Sequence, residues 1–306
     1  MASRASGTDF TAGFDLCAVL ETRPMLDLTI AIPVKNENRN LSGCLEAVGS
    51  DFAREIVVID SGSSDGTQKI AKKNGAKVIQ FDWNGAFPKK RNWFLQNHPP
   101  ATKWVLFLDA DEHVTPEFKQ ALHETLPQTT YAGFWLRYSI YFLNGELKGG
   151  YPLKKLALFR VGAGEYERID EERWSHLDME IHEHPILDGP VGSIRPKIDH
   201  RDFRGLDSWA RKHNEYASWE AKRYLQKRPE NQPVKWTLKQ KIKYRLLGSP
   251  LSGPVFFFGC FFLMGGFRDG KRGLAWALLK CGYFTQVYAR IEEEKSARAR
   301  DDTPSG

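Results

Sequence analysis

The sequence predicts an α/β protein, with a mostly parallel central sheet flanked by helices and a helical C-terminal region. Several short runs, such as residues 56–59 and 104–108, are apolar throughout rather than at alternate positions. Strands of this kind are buried on both faces, as in parallel sheets. Such runs alternate with helical segments over residues 26–125, the order that builds a parallel sheet. Residues 206–227 have the pattern of one long helix.

The elements of the first half follow one another in a regular order, separated by turn-forming residues. The predicted elements are a strand at 26–33, a helix at 37–50, a strand at 56–59, a helix ending before Gly75, a strand at 76–81, a helix from 88 and a strand at 104–108. Aromatic and β-branched residues predict further strands within 131–146 and 155–161. The predicted divisions are a loose leader at 1–25, an α/β domain at 26–205 with halves at 26–125 and 126–205, and a helical region at 206–306.

Composition and cysteine usage bound the class of protein. The chain has 306 residues and is 41% hydrophobic, enough to bury a core, so global disorder is excluded. The first 25 residues lack a basic segment followed by an apolar one, so we expect no signal peptide and a cytosolic origin. The cysteines form no CxxC pair and are expected to be buried free thiols: Cys17, Cys44, Cys260 and Cys281.

Polar residues follow three of the predicted strands at the point where each strand ends. They lie at residues 33–37, 60–64 and 109–112. In open α/β sheets ligands bind outside the carboxyl ends of the strands. The coincidence of three such ends therefore predicts one binding site there.

The acids after the strand at 104–108 need a positive partner. Asp109, Asp111 and Glu112 are close in sequence, and like charges packed together resist ionisation. Residues two apart on an extended backbone point the same way, so Asp109 and Asp111 can face one Mg²⁺ or Mn²⁺. A cluster of basic side chains and a solvated acidic turn are the alternatives. An aspartate-nucleophile phosphatase is disfavoured, because His113 stands where that class has Thr or Val.

Four motifs together resemble the family 2 glycosyltransferases. They are "IPVKNE", "EIVVIDSGSSDGT", "PKKRN" and "FLDADE", in matching order and spacing within about residues 27–125. The resemblance implies the GT-A fold, a nucleotide-sugar donor and inversion at the sugar carbon. The later motifs "IHEHP", "DHRDFRGLDSWARKHNEYA" and "GGFRDGKRG" are similar to a bacterial subgroup that adds hexoses in lipopolysaccharide core and capsule assembly.

The resemblance also implies roles for individual residues. It implies that six residues bind the nucleotide-sugar: Pro33, Val34, Glu37, Asp60, Arg91 and Asp109. Asp60 would take the edge of uracil or another base, and Arg91 would approach the diphosphate. Asp111 would coordinate the metal, and Asp109 would hold the ribose or a metal-bound water. Many relatives have a second acid after the first, where this chain has Ser61.

An inverting transfer needs a general base for the acceptor hydroxyl. The stretch "HLDMEIHEHP" offers Asp178, Glu180 and Glu183. The subgroup has a His-Glu pair here, which favours Glu183, followed by Glu180 and then Asp178. His182 or His184 is either a further metal ligand or a structural histidine.

The C-terminal third combines basic and apolar segments. Residues 222–245 carry nine Lys or Arg and one acid, so the rest of a chain with net charge +6 sums to about −2. Residues 246–267 carry no charge but contain two prolines and five glycines, which favours a dip into one leaflet or a buried hairpin over a span. The form of residues 234–246 is left open, because their alternation is typical of a strand and their composition of a helix.

These features together predict the function and the partners. The Phe-rich run favours an anionic membrane surface over nucleic acid or a solvated basic face. The hypothesis is an inverting, metal-dependent transferase that moves a hexose from a nucleotide-sugar, expected to be a UDP-sugar. The acceptor would be a lipid-linked saccharide or polysaccharide at the cytosolic face of the inner membrane. The alternatives are a nucleotidylyltransferase and a non-catalytic membrane scaffold.

Overall fold

The computed structural model describes residues 24–168, 178, 184–226 and 238–301. The predicted leader, apart from its last two residues, lies outside the described residues. So do the candidate bases Glu183 and Glu180, and His182.

Strands and helices alternate in the first half, and helices fill the C-terminal third. The strands are β1 (Leu26–Val34), β2 (Ala53–Asp60), β3 (Lys77–Gln80), β4 (Trp104–Phe107), β5 (Glu112–His113), β6 (Gly133–Phe142), β7 (Gly145–Leu147), β8 (Lys154–Arg160), β9 (Gly164–Tyr166), β10 (Pro185–Leu187) and β11 (Val191–His200). The helices are α1 (Leu41–Val48), α2 (Thr67–Lys73), α3 (Lys90–Asn97), α4 (Pro116–Thr125), α5 (Leu206–Gln226), α6 (Leu238–Leu247), α7 (Ser252–Phe258) and α8 (Gly270–Asp301). A π-turn (Gly259–Leu263) and a 3₁₀ turn (Gly266–Asp269) connect α7 to α8.

The main sheet joins both halves of the predicted domain. Within the described residues its strand order is β3-β2-β1-β4-β8-β6-β11-β5, with β7 paired to β6, and β9 and β10 form a separate ribbon. The first four strands are parallel, whereas β8 runs antiparallel to both of its neighbours, and β11 is parallel to β6. The predicted GT-A-like α/β fold is confirmed, and the parallel pairing is concentrated in the half that carries the strand-end motifs.

Burial on both faces explains why the parallel strands are apolar throughout. Successive residues of one strand enter different cores: Ile30 and Ile32 of β1 face one core, and Ala31 between them faces the other. In β4, Leu106 and Val105 divide in the same way. Side chains alternate across a strand, so a sheet covered on both sides requires apolar residues at every position.

The C-terminal helices form a smaller core of their own. Helices α5, α6 and α8 bury a common set of apolar side chains: Ala217, Ala221, Leu225, Leu247, Tyr283, Val287 and Ile291. Residues 238–247, whose form the sequence left open, are helical. In the part of the chain that the structure describes, no helix is both long and apolar enough to cross a membrane. The predicted boundary at residue 205 remains a prediction.

Three of the four cysteines lie in described segments, and all three are free thiols. Cys44 and Cys260 are buried, and Cys281 is partly buried. The prediction of free thiols is therefore confirmed for these three, and Cys17 lies outside the described residues.

Candidate functional site

The three predicted strand ends meet at one edge of the sheet. The Ser61 amide, just past β2, donates a hydrogen bond to the Val34 carbonyl at the end of β1 at 3.1 Å. The Leu108 amide after β4 donates to the Ala31 carbonyl of β1 at 3.0 Å. Parallel neighbours in register end side by side, so the polar residues that follow them must converge.

Asp60, the last residue of β2, lies buried on one side of the site. Its side chain is fully buried, and Oδ2 accepts from the Ser63 amide at 3.0 Å and from Gln68 Nε2 at 2.7 Å. Its other oxygen, Oδ1, is buried without a hydrogen-bond partner among the described residues. A buried acceptor left open is costly unless a ligand supplies the donor, so Asp60 Oδ1 fits a ligand N–H or O–H.

A buried lysine links the Asp60 side of the site to the segment of candidate bases. Lys90 Nζ donates to the Val34 carbonyl at 3.1 Å and lies 3.0 Å from Asp178 Oδ2. Burial acts to raise the pKa of Asp178, but the Lys90 ammonium, together with Ser61 and Lys35, outweighs it and lowers the pKa. Asp178 is therefore held as an ionised partner of Lys90.

Asp109 is held between two cations. Its carboxylate lies 2.9 Å from Arg91 and 2.5 Å from Lys155, and Lys155 also lies 2.5 Å from buried Glu112. Burial acts to raise the pKa of Asp109, but Lys155 and Arg91 outweigh it and hold the pKa well below its usual range. Burial raises the pKa of Glu112 to about 8, with Lys155 opposing. One ammonium thus serves two carboxylates, and Asp109 is the one held ionised.

Asp111 faces side chains from the end of β11 and from the segment that follows it. Its carboxylate lies 3.6 Å from His200 Nε2 and 3.2 Å from the Arg204 guanidinium. Arg204 also binds Glu37 at 2.5 Å and Asp202 at 2.8 Å, which ties the end of β1 to the end of β11. Asp111 Oδ1 is buried with no hydrogen-bond partner in the described segments.

These contacts show which charges accompany the acids. The sequence left open a metal or a cluster of basic side chains, and the structure contains the cluster: Arg91, Lys155 and Arg204. Burial lowers the pKa of His200, so this ring adds no charge at neutral pH. Asp111 still has a buried oxygen without a hydrogen bond, and carboxylate oxygens are the ligands that Mg²⁺ and Mn²⁺ prefer. Asp111 Oδ1, which among the described residues has only the His200 ring at 3.6 Å, therefore fits a divalent cation, whereas both oxygens of Asp109 already accept a hydrogen bond from a cation.

The remaining predicted residues lie around this edge. Val34 is buried and contributes its carbonyl, while Pro33 precedes it in β1. Glu37 accepts from Asn40 Nδ2 at 2.9 Å in addition to its contact with Arg204. His184 packs edge-on against Trp135, with ring centroids 5.0 Å apart.

Comparison with known proteins identifies the domain that carries the site. Residues 29–174 match the family described as Glycosyl transferase family 2. These residues form a family 2 glycosyltransferase domain. The predicted enzyme class is therefore confirmed, and the protein is a glycosyltransferase rather than a nucleotidylyltransferase or a scaffold.

Curated relatives of the glycosyltransferase differ in how much of the chain they share. The lipopolysaccharide core biosynthesis glycosyltransferase LpsC of Rhizobium meliloti (strain 1021) is 26% identical over 291 residues, 90% of this chain and 96% of LpsC. The SPbeta prophage-derived glycosyltransferase SunS of Bacillus subtilis (strain 168) is 35% identical over 94 residues, 30% of this chain and 22% of SunS. Similarity to LpsC thus extends into the helical region, whereas similarity to SunS is confined to a part of each protein.

Solved structures with local similarity to the glycosyltransferase include glucosyl-3-phosphoglycerate synthase from Mycobacterium tuberculosis. Its complex with Mn²⁺, uridine-diphosphate and glucosyl-3-phosphoglycerate is 20% identical and has a TM-score of 0.30. The match covers 37% of this chain and 44% of the synthase chain.

Three of the residues that contact Asp109 and Asp111 were not predicted from the sequence. Lys155 is the second residue of β8, and only the antiparallel pairing of β8 with β4 brings it to Asp109. His200 and Arg204 belong to the motif "DHRDFRG", which carried part of the family resemblance but no assigned role. Their position in that motif, next to the end of a strand, was the available signal.

Proposed function

We propose that the protein is an inverting, metal-dependent hexosyltransferase that uses a UDP-sugar and a lipid-linked saccharide acceptor. The observation that carries this proposal is the pair of buried carboxylate oxygens, Asp60 Oδ1 and Asp111 Oδ1, without hydrogen-bond partners in the described residues. One fits the edge of a nucleotide base and the other a divalent cation. The family assignment supports the same reaction class.

In the proposed donor site, charged side chains of the protein surround the position of the diphosphate. Lys155 and Arg91 keep Asp109 ionised, so this carboxylate can accept hydrogen bonds from the ribose or from a metal-bound water. Val34 and Pro33 line the positions of the base and the ribose at the end of β1. Glu37 lies beside them and is held by its ion pair with Arg204. When bound at Asp111, Mg²⁺ or Mn²⁺ supplies a Lewis acid for the departing diphosphate.

In the proposed acceptor site, Glu183 removes the proton from the attacking hydroxyl. Its candidacy over Glu180 rests on the His-Glu pair of the subgroup. Asp178 is the weakest candidate, because Lys90 lowers its pKa and a base is most effective when its pKa lies near the working pH.

The proposed acceptor is a lipid-linked saccharide at the cytosolic face of the inner membrane. Similarity to LpsC over most of both chains supports a role in lipopolysaccharide core synthesis. The basic and Phe-rich segments of the C-terminal third support peripheral contact with an anionic membrane, and we propose no nucleic-acid partner.

Calorimetry tests the donor side of this proposal directly. We expect UDP to bind wild-type protein in the presence of Mn²⁺ and to bind more weakly after chelation. A panel of nucleotide-sugars screened for hydrolysis then identifies the donor. The variant Asp60→Asn should lose the preference of the wild-type protein for one nucleotide base. UDP binding that does not respond to Mn²⁺ would contradict the metal assignment.

A further inference from the structure

Helix α7 and the turn that leads from it to α8 expose a continuous set of large apolar side chains. We call residues 251–267 the apolar tip. Its exposed members are Leu251, Val255, Phe258, Phe262, Leu263, Met264 and Phe267. Leu263 at its end is 87% exposed. Isolated exposed apolar residues are ordinary, but a contiguous patch of this kind marks an interaction surface.

The apolar tip is ordered by contacts among its own aromatic rings. Phe257 stacks on Phe261 with centroids 5.5 Å apart, and Phe258 lies 5.1 Å from Phe262. The π-turn ends before Gly265, whose φ of +74° allows the chain to reverse toward α8. The tip is therefore a formed hairpin end, with its apolar surface directed outward.

Charges around the apolar tip are almost all positive. Residues 238–291 contain nine Lys or Arg and one acid, Asp269. Two of these cations are exposed directly after the last residue of the tip or within four residues of it: Arg268 and Lys271. Asp269 is buried, and its two oxygens accept from the amides of Lys148 and Gly149 at 2.9 Å each. The single acid is thus used inside the fold, and the surface around the tip is cationic.

The same contacts fix the apolar tip to the catalytic domain. The loop after β7 binds Asp269, and the Gly150 amide donates to the Met264 carbonyl at 2.9 Å. Gly149 packs so closely on Gly265 that a Cβ at residue 149 would lie 2.1 Å from the Gly265 carbonyl oxygen. This loop leads directly into β8, which starts at Lys154 and carries Lys155 to Asp109. The tip and the site are therefore joined by a short, hydrogen-bonded path.

We propose that the apolar tip is a wedge that inserts into the headgroup region of an anionic bilayer. Apolar side chains at the centre with cations at the rim match the acyl boundary and the anionic headgroups of one leaflet. The wedge does not span the bilayer. Its attachment to the β7–β8 loop fixes how the donor site is oriented above the membrane. The wedge would locate the membrane contact of the proposed function at one surface, and its link to a lipid-linked acceptor rests on that proposed function.

Vesicle sedimentation without donor or metal tests the wedge. We expect wild-type protein to sediment with vesicles of phosphatidylglycerol and phosphatidylcholine, and less with phosphatidylcholine alone. Leu263→Asp should weaken binding to the anionic vesicles by about tenfold or more, because an acid in the apolar part of a bilayer is strongly disfavoured. Ile186→Asp is the matched control: Ile186 is 67% exposed but lies on the β9–β10 ribbon, and this variant should bind like wild type.

Three results would overturn the wedge. The first is wild-type protein that does not sediment with anionic vesicles, and the second is Leu263→Asp binding as well as wild type. The third is a dimer of the wild-type protein that Leu263→Asp converts to monomer, since a second copy would then cover the tip. Because UDP and Mn²⁺ are absent, failure of the donor-site proposal in calorimetry leaves this result unaffected, and the reverse also holds.

Discussion

At the scale of single residues, the acids of the site differ in what already neutralises them. Asp109 contacts two cations, and the ammonium of Lys155 also serves Glu112. Asp111 has Arg204 on one oxygen, and its other oxygen is without a hydrogen bond in the described residues. Removing one charge should therefore have different consequences at Asp109 and at Asp111.

Asp111→Asn should abolish metal-dependent transfer while the protein stays folded. The amide removes a charged metal ligand, and we expect turnover to fall by more than about 100-fold, beyond the loss typical of residues that only support a ligand. Arg204 keeps Glu37 and Asp202 as partners, so the melting temperature should change little. Turnover measured against Mn²⁺ concentration checks this, and near-normal turnover at limiting Mn²⁺ would show that Asp111 is not the ligand.

Glu183→Gln should separate the chemical step from donor binding. If Glu183 is the base, transfer falls by roughly 10²–10⁴-fold while nucleotide-sugar affinity is nearly unchanged. Asp178→Asn should instead raise the KM for donor, because it removes the partner of Lys90 beside the Val34 carbonyl. Measuring kcat and KM separately for the Glu183, Glu180 and Asp178 variants decides the assignment. An inactive Glu180→Gln or Asp178→Asn at saturating donor would move the base to that residue.

Lys280→Met should change how stability depends on pH. Lys280 Nζ lies 3.0 Å from His213 Nε2, against the rings of Trp209, Trp276 and Tyr283. Burial lowers its pKa to about 8, with Cys260 opposing. Between pH 8 and 10.5 the unfolded chain is protonated and the folded one is not, so this lysine makes wild-type stability rise with pH. Below pH 8 the cost of the buried charge is fully present.

The difference between variant and wild type isolates this contribution. Below pH 8, the free energy of unfolding of Lys280→Met should exceed that of wild type by up to about 3 kcal/mol. The loss of the contacts between the ammonium and the rings reduces this gain. The gain should shrink toward pH 10. Urea unfolding at pH 7 and pH 9.5 measures it, and a pH-independent difference would show that Lys280 titrates normally.

At the scale of elements, the local sequence pattern was sufficient to predict the strands and helices of the first half. It was not sufficient to predict which basic side chains contact the acids of the site. Strands β1, β2 and β4 were predictable because a sheet covered on both faces demands continuous apolar runs. The meeting of their ends followed from parallel pairing. Lys155 was not predictable, because its approach to Asp109 depends on β8 pairing antiparallel to β4 across about fifty residues of chain. Charge partners set by long-range pairing leave no local pattern.

The β9–β10 ribbon offers a prediction at this scale. A Cβ at Gly164 would lie 1.9 Å from the Ile186 carbonyl oxygen of the facing strand, so Gly164→Ala must push the two backbones apart. Tyr166 at the end of β9 contacts Arg91 and is fixed by Asn92. We expect a loss of about 1–3 kcal/mol in the free energy of unfolding and weaker donor binding. Ile186→Ala on the same ribbon trims an exposed side chain and should cost under about 0.5 kcal/mol; equal losses would contradict the steric account.

At the scale of the whole molecule, two separately packed bodies meet at several contacts among the described residues, such as Phe142 with Trp276 and Arg223 with Glu167. One further contact, which we call the seam, is made by backbone groups. The sheet has its own two cores, and helices α5, α6 and α8 have a third. The seam consists of the loop after β7 against residues 264–269, with Asp269 binding two amides. Sequence alone indicated both bodies from their patterns. It could not indicate the seam, because glycines packed backbone to backbone leave no side-chain signature.

Gly149→Ala tests whether this seam holds the two bodies together. The new Cβ would lie 2.1 Å from the Gly265 carbonyl oxygen and 2.7 Å from the Gly266 amide nitrogen, and neither backbone atom can move as a side chain does. The seam should therefore open, with a loss of about 1–3 kcal/mol in the free energy of unfolding. The amides of Lys148 and residue 149 would lose Asp269 and exchange hydrogen faster. UDP binding should persist, because β8 is held in place by its pairing with β4 and β6.

Lys148→Ala is the matched control for the seam, since it trims an exposed side chain and keeps both amides on Asp269. Hydrogen exchange followed by mass spectrometry over residues 145–153 distinguishes the two variants. Faster exchange in Gly149→Ala alone means that the backbone contact holds the loop against the tip. Unchanged exchange in Gly149→Ala would mean that the bodies shift to admit a methyl group. The wedge would then be attached by Asp269 without the close glycine packing, and its orientation relative to the donor site would be less rigidly fixed.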